Sequence, residues 1–128
     1  MPSASVLAAF GLTALLAGVA VFQLALIAGR PWGRLAWGGA HVVLPTNLRI
    51  SSAVSIGIYA LIAAAMLDRA GVLLWLPTAV SQPLAWTIAG YFGLGIGLNL
   101  ASRSRPERLV MSPIVALLCL LSVAVALG

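Results

Sequence analysis

Ser5 to Ala28 reads SVLAAFGLTALLAGVAVFQLALIA, 24 residues without a single charge. A helix needs about 20 apolar residues to cross the roughly 30 Å hydrocarbon core of a bilayer, so this stretch is long enough to span one. It also exceeds the roughly 7–15-residue apolar region of a signal peptide and lacks a basic leader, which reads it as a retained span.

The rest of the chain extends the same pattern. Of 128 residues 62% are hydrophobic and 7% charged, with a mean hydropathy of +1.14. A soluble globule carries about 25% charged residues, so residues 1–128 are expected to form a single integral membrane domain. The fold expectation is an all-α membrane protein, a bundle of four transmembrane helices at about 5–28, 47–67, 82–101 and 105–127.

Local signals mark the helix ends. Ser104-Arg-Pro-Glu107 matches the Ser-x-x-Glu capping box, with Pro106 in the first turn, and starts the fourth helix. Glu107 is thereby expected to cap that helix and to pair with Arg103 or Arg108. Pro31 ends the first helix, Thr46 or Asn47 caps the second, and Pro113 is expected to bend the fourth.

Charge fixes the expected orientation. Arg30, Arg34 and Arg49 fall in the first loop and Arg103, Arg105 and Arg108 in the third, against Arg69 beside Asp68 in the second. By the positive-inside rule, loops 1 and 3 face the cytoplasm and both termini face outward. Trp75, within Leu73 to Leu76, belongs at the outer interface. The net charge of +5 is thus spent on topology and headgroups, with no nucleic acid implied. A bacterial cytoplasmic membrane is the expected location.

Helices associate in lipid through small residues and interhelical hydrogen bonds. Gly11 and Gly18 share one face of the first helix, Gly90, Gly93 and Gly97 one face of the third, and both faces read as packing grooves for a neighbour in the same chain or in a second subunit. Ser51, Ser52, Ser55 and Tyr59 recur at helical spacing on the second helix. Their hydroxyls can bond the preceding turn or line a polar cleft with Gln23 or Asn99.

Several chemistries are poorly supplied. No carboxylate lies in a span centre, which argues against proton-coupled export. His41, Cys119, Asp68 and Glu107 are split between the two sides and the interior, so no metal site or other cofactor is expected. Cys119 has no partner thiol and reads as a small apolar filler. His41 and Glu107 share a face and are the weak candidates for an acid–base pair, without a nucleophile motif beside them.

What remains is a cationic rim. The six arginines of loops 1 and 3, together with the N-termini of the second and fourth helices, suit a phosphate-bearing ligand. Three functions follow from these residues. The first is a non-enzymatic binding or assembly protein that recognises an anionic lipid headgroup or a partner membrane protein. The second is an oligomeric channel or facilitator for a small solute, lined by Ser51, Ser55 and Tyr59 with Asn99. The third is a lipid-active enzyme using His41 and Glu107.

Pro31-Trp-Gly33, Leu44-Pro-Thr-Asn-Leu-Arg49 and Asn99-Leu-Ala-Ser-Arg-Ser-Arg-Pro-Glu-Arg108, followed by Pro113, resemble segments of small bacterial four-span membrane proteins. The resemblance runs over nearly the whole chain and implies the four-span fold without an activity.

Overall fold

The structure, a computed structural model, describes residues 3–128. Four long helices make up the described chain, α1 (Ala4–Ile27), α2 (Thr46–Arg69), α3 (Thr78–Leu100) and α4 (Arg105–Leu127), with no strand among the described residues. Two short 3₁₀ turns, Gly33–Leu35 and Trp37–Gly39, occupy the loop between α1 and α2. Three of the helices, α1, α2 and α4, are long and apolar enough to cross a membrane. α3 is as long as α4, 23 residues, and carries no charged residue, but Gln82, Asn99 and its glycines lower the hydropathy of its apolar stretch.

The helices close into a ring. α1 packs on α2 and α4, and α3 packs on α4 and α2. Leu12 and Leu16 of α1, Ile62 and Met66 of α2, Ile88 and Phe92 of α3, and Leu118 of α4 meet in one core. Gly128 comes against Ser5, so the start of α1 and the end of α4 share one end of the bundle. The α1–α2 loop (loop 1) and the α3–α4 loop (loop 3) share the other, where Ser104 Oγ donates to the Arg34 carbonyl.

The helix ends follow local chemistry, with corrections to the expected boundaries. Ser3 caps α1 by accepting from the Val6 N–H at 3.2 Å. α1 stops at Gly29, two residues before Pro31: Gly29 adopts φ +92, its N–H bonds the Leu26 carbonyl, and the Arg30 N–H reaches back to Ala25. α2 ends in the same way at Gly71 (φ +85), where the Gly71 N–H bonds Asp68 and the Val72 N–H bonds Leu67. Both are Schellman motifs, in which a left-handed residue lets two late N–H groups satisfy orphan carbonyls. Gly29 is therefore the residue that terminates α1.

α2 has Pro45 as its N-cap, with no side-chain cap from Thr46 or Asn47. α3 begins at Thr78, directly after Pro77, so its first turn lies upstream of the expected start and Pro83 falls inside the helix. α4 runs unbroken through Pro113. The loop between α2 and α3 is held by Asp68, whose Oδ2 accepts from the Trp75 and Leu76 N–H groups at 2.7 and 3.0 Å. Arg69 crosses to α4 instead of pairing with its neighbour, donating to the main-chain oxygens of Ala126 and Gly128 at 3.1 and 2.7 Å. Cations at a helix C-terminus satisfy its last carbonyls and oppose its dipole.

The glycines divide. Gly93 faces Cys119, Gly11 faces Leu121, and both spacings are ordinary contacts. Gly18, Gly90 and Gly97 are exposed and face no neighbour within 4 Å. The close approach of α3 to α4 runs instead through Gly95, where an added Cβ would lie 3.1 Å from Val115 Cγ1.

Candidate functional site

Loop 1 folds back over the end of the bundle. Trp37, Gly38 and Gly39 take φ values of +52, +79 and +72, three successive left-handed residues that reverse the chain. Glycine suits two of them, since a side chain is strained there. Gly39 is doubly required, because a Cβ would also run into Ser104. Gly33 serves the same closure: its N–H donates to the Val42 carbonyl at 2.8 Å, and a Cβ would strike the carbonyl oxygens of His41 and Val42.

Two side chains latch this loop to the helices, and a third braces it internally. The Trp37 indole N–H donates to Ser52 Oγ of α2 at 3.0 Å. Glu107 Oε2 of α4 accepts the Gly38 N–H at 3.1 Å. Arg34 Nη1 donates to the Gly39 carbonyl at 3.3 Å, bracing the loop within itself.

Glu107 therefore does not complete a capping box, and its carboxylate bonds loop 1 instead of an arginine. Ser104 is the N-cap residue of α4 but makes no side-chain cap bond. Its hydroxyl is drawn to Arg34, while Ser102 Oγ accepts the Ser104 N–H at 3.1 Å. The expected local pair is thus displaced by a tertiary one, since loop 1 offers Glu107 a partly buried donor that would otherwise go unpaired.

Beneath loop 1 lies a cavity of about 460 Å³, bounded by Leu35 to Gly38 above and by all four helices. Its polar lining comes from Gln23 of α1, Ser55 and Tyr59 of α2, Tyr91 and Asn99 of α3, Ser102 of loop 3 and Glu107 of α4. The remaining walls are apolar, among them Phe22, Phe92, Leu94, Leu98 and Leu118. A second cavity of about 380 Å³, lined almost wholly by apolar residues such as Ile58, Leu61, Leu84 and Ile88, lies between α2 and α3.

Within the first cavity Gln23 is only 6% exposed. Its Nε2 donates to the Tyr59 hydroxyl at 3.2 Å, while its Oε1 is buried without a partner among the described residues. Ser55 Oγ bonds the Ser51 carbonyl and Asn99 Nδ2 bonds the Gly95 carbonyl, so both use part of their capacity on the preceding turn. Ser51 bonds Asn47 at the surface and stays outside the cavity lining.

The six arginines of loops 1 and 3 differ in what they touch. Arg30, Arg34, Arg103 and Arg105 are exposed, and Arg49 and Arg108 are half-buried. Arg49 Nε donates to the Leu44 carbonyl at 2.9 Å and Arg108 Nη1 to the Ser102 carbonyl at 2.8 Å. His41 is exposed and outside the cavity lining, whereas Glu107 is buried and bonded to loop 1. The structure does not bring the two together as an acid–base pair. Among the described residues, no three of His, Cys, Asp and Glu gather as a metal centre.

Sequence reasoning reached Gln23, Ser55, Tyr59 and Asn99 through their polarity. It missed Trp37 as a latch and Gly95 as the close contact, because each acts on a partner in another element of the fold. No family model, curated protein or solved structure matches the chain.

Proposed function

We propose that the protein is a small, non-enzymatic bundle of the bacterial cytoplasmic membrane that binds anionic lipid headgroups at the end formed by loops 1 and 3. All four helices cross the bilayer in this reading, with loops 1 and 3 cytoplasmic and both termini outside. The observation that carries it is the concentration of six of the seven arginines at one end of the bundle. Four of those six are exposed. Guanidinium forks match phosphate oxygens bidentately, and a cytoplasmic leaflet rich in anionic lipid supplies the phosphates. α3 carries no charged residue along its length and packs on α4 and α2.

Native mass spectrometry of the purified protein, counting retained phosphatidylglycerol, tests the reading. Arg30→Gln/Arg103→Gln/Arg105→Gln is expected to lose most of the retained lipid. The corresponding triple lysine variant keeps the topological charge but loses the fork, and should retain an intermediate amount. Unchanged retention in the glutamine variant would reduce these arginines to topology alone.

A further inference from the structure

We propose that the cavity beneath loop 1 holds the hydroxyl head of a neutral lipid whose hydrocarbon tail lies along the apolar crevice between α2 and α3. This site is separate from the arginine rim and shares with it only the placement in a bilayer.

The starting point is Gln23. It lies four residues, roughly 6 Å, from the end of α1. One half of its amide is satisfied by Tyr59, and the other is buried in the cavity lining without a partner. A buried polar atom left unpaired is destabilising, so such a group in a cavity points to something that completes it.

The size and walls of the cavity say what that is. At about 460 Å³ it far exceeds the roughly 30 Å³ share of one water, and apolar walls do not hold a filling of water well. The volume lies in the range of about 300–1,000 Å³ found for small-molecule sites. Its polar groups are few and converge near loop 1, while Leu94 and Leu98 of α3 contribute wall and are also exposed on the outer surface. An occupant with one polar end and an apolar body fits that division.

Charge selects the head. The arginines are absent from the lining, and the carboxylate of Glu107 is in it. A phosphate would meet an acidic side chain there with no guanidinium to offset it. A neutral hydroxyl has no such penalty, and it both donates and accepts. It therefore completes Gln23 whichever way the amide is turned, with the Tyr59 hydroxyl and Asn99 beside it.

The second cavity gives the tail its course. Ile58, Leu61 and Ile62 of α2 face Leu84 and Ile88 of α3 across about 380 Å³ of almost wholly apolar space. α2 and α3 both contribute walls to the two cavities, Tyr59 and Phe92 to the first and Ile62 and Ile88 to the second. A tail leaving the first cavity between these helices stays in apolar surroundings.

The test uses 1,2-dioleoylglycerol as probe and its 3-acetyl ester, which keeps both tails and loses the free hydroxyl. The protein is placed in phosphatidylcholine nanodiscs, and Trp37 in the cavity wall reports binding through its fluorescence, with Trp37→Phe as the signal control. Saturable binding of dioleoylglycerol at least ten-fold tighter than the acetyl ester is expected. Gln23→Leu, which removes the amide at similar volume, should erase that preference, and Leu98→Trp should weaken both probes by filling the wall. Equal affinity for the two probes overturns the proposal even if Gln23→Leu fails to fold. Displacement of the probe by phosphatidylglycerol would overturn it also, by showing an anionic occupant. The triple glutamine variant of Arg30, Arg103 and Arg105 should bind dioleoylglycerol as the wild type does, which separates this site from the rim.

Discussion

Glu107 sits at position N3 of α4, where a carboxylate ordinarily reaches back to its own N-cap, yet it bonds the Gly38 N–H from loop 1. Glu107→Gln keeps an acceptor in place and should change stability little. Glu107→Ala leaves the Gly38 N–H unpaired and is expected to cost about 1–3 kcal/mol, read as a lower unfolding midpoint in detergent. Gly39→Ala should be at least as damaging, because its positive φ alone is worth about 1–3 kcal/mol of strain and its Cβ would meet Ser104. Both variants act on loop 1 closure, so their effects should be less than additive when combined. The cap was legible only in part. Ser104-x-x-Glu107 marks the start of α4 correctly, since the helix begins at Arg105. The partner of Glu107 was not legible, because it lies 69 residues upstream and a local motif carries no information about a loop that crosses it.

At the scale of elements, length and apolarity located four helices, and the fourth runs over the expected residues 105–127. The starts and stops depended on finer chemistry. Pro31 looked like the terminator of α1, but the left-handed Gly29 closes the helix first with two backbone bonds. Glycine spacing was informative about which residues share a face and silent about what that face meets. Gly90 and Gly97 face open space, so Gly90→Ala and Gly97→Ala are expected to gain about 0.5–1 kcal/mol from helix propensity. Gly95→Leu should instead push α3 from α4, since even its first carbon would crowd Val115. Val115→Ala is expected to recover part of that loss, and a double-mutant cycle on thermal midpoints measures the coupling.

The whole molecule adds what no single element contains, the order of helices around the ring and the enclosed space between them. Polarity along the sequence placed Gln23, Ser55, Tyr59 and Asn99 toward one end. Only the ring brings them into one cavity, because it sets α1 beside α2 and α3 beside α4. The same architecture makes orientation testable. Loop 2 lies at the opposite end of the bundle from loops 1 and 3, so labels on the two ends must fall on opposite sides if α2 and α3 cross the bilayer. His41 of loop 1, Leu74 of loop 2 and Ala101 at the end of α3 are all exposed. On a Cys119→Ala background, Leu74→Cys should react with a membrane-impermeant maleimide in intact cells, while His41→Cys and Ala101→Cys should react only after permeabilisation. The arginine excess at the loop 1 and loop 3 end sets that direction. Reversal of the pattern would defeat the orientation and leave the spanning intact. Reaction of Leu74→Cys and Ala101→Cys from the same side would show that α3, which is not among the three helices long and apolar enough to cross, stays on one side of the membrane.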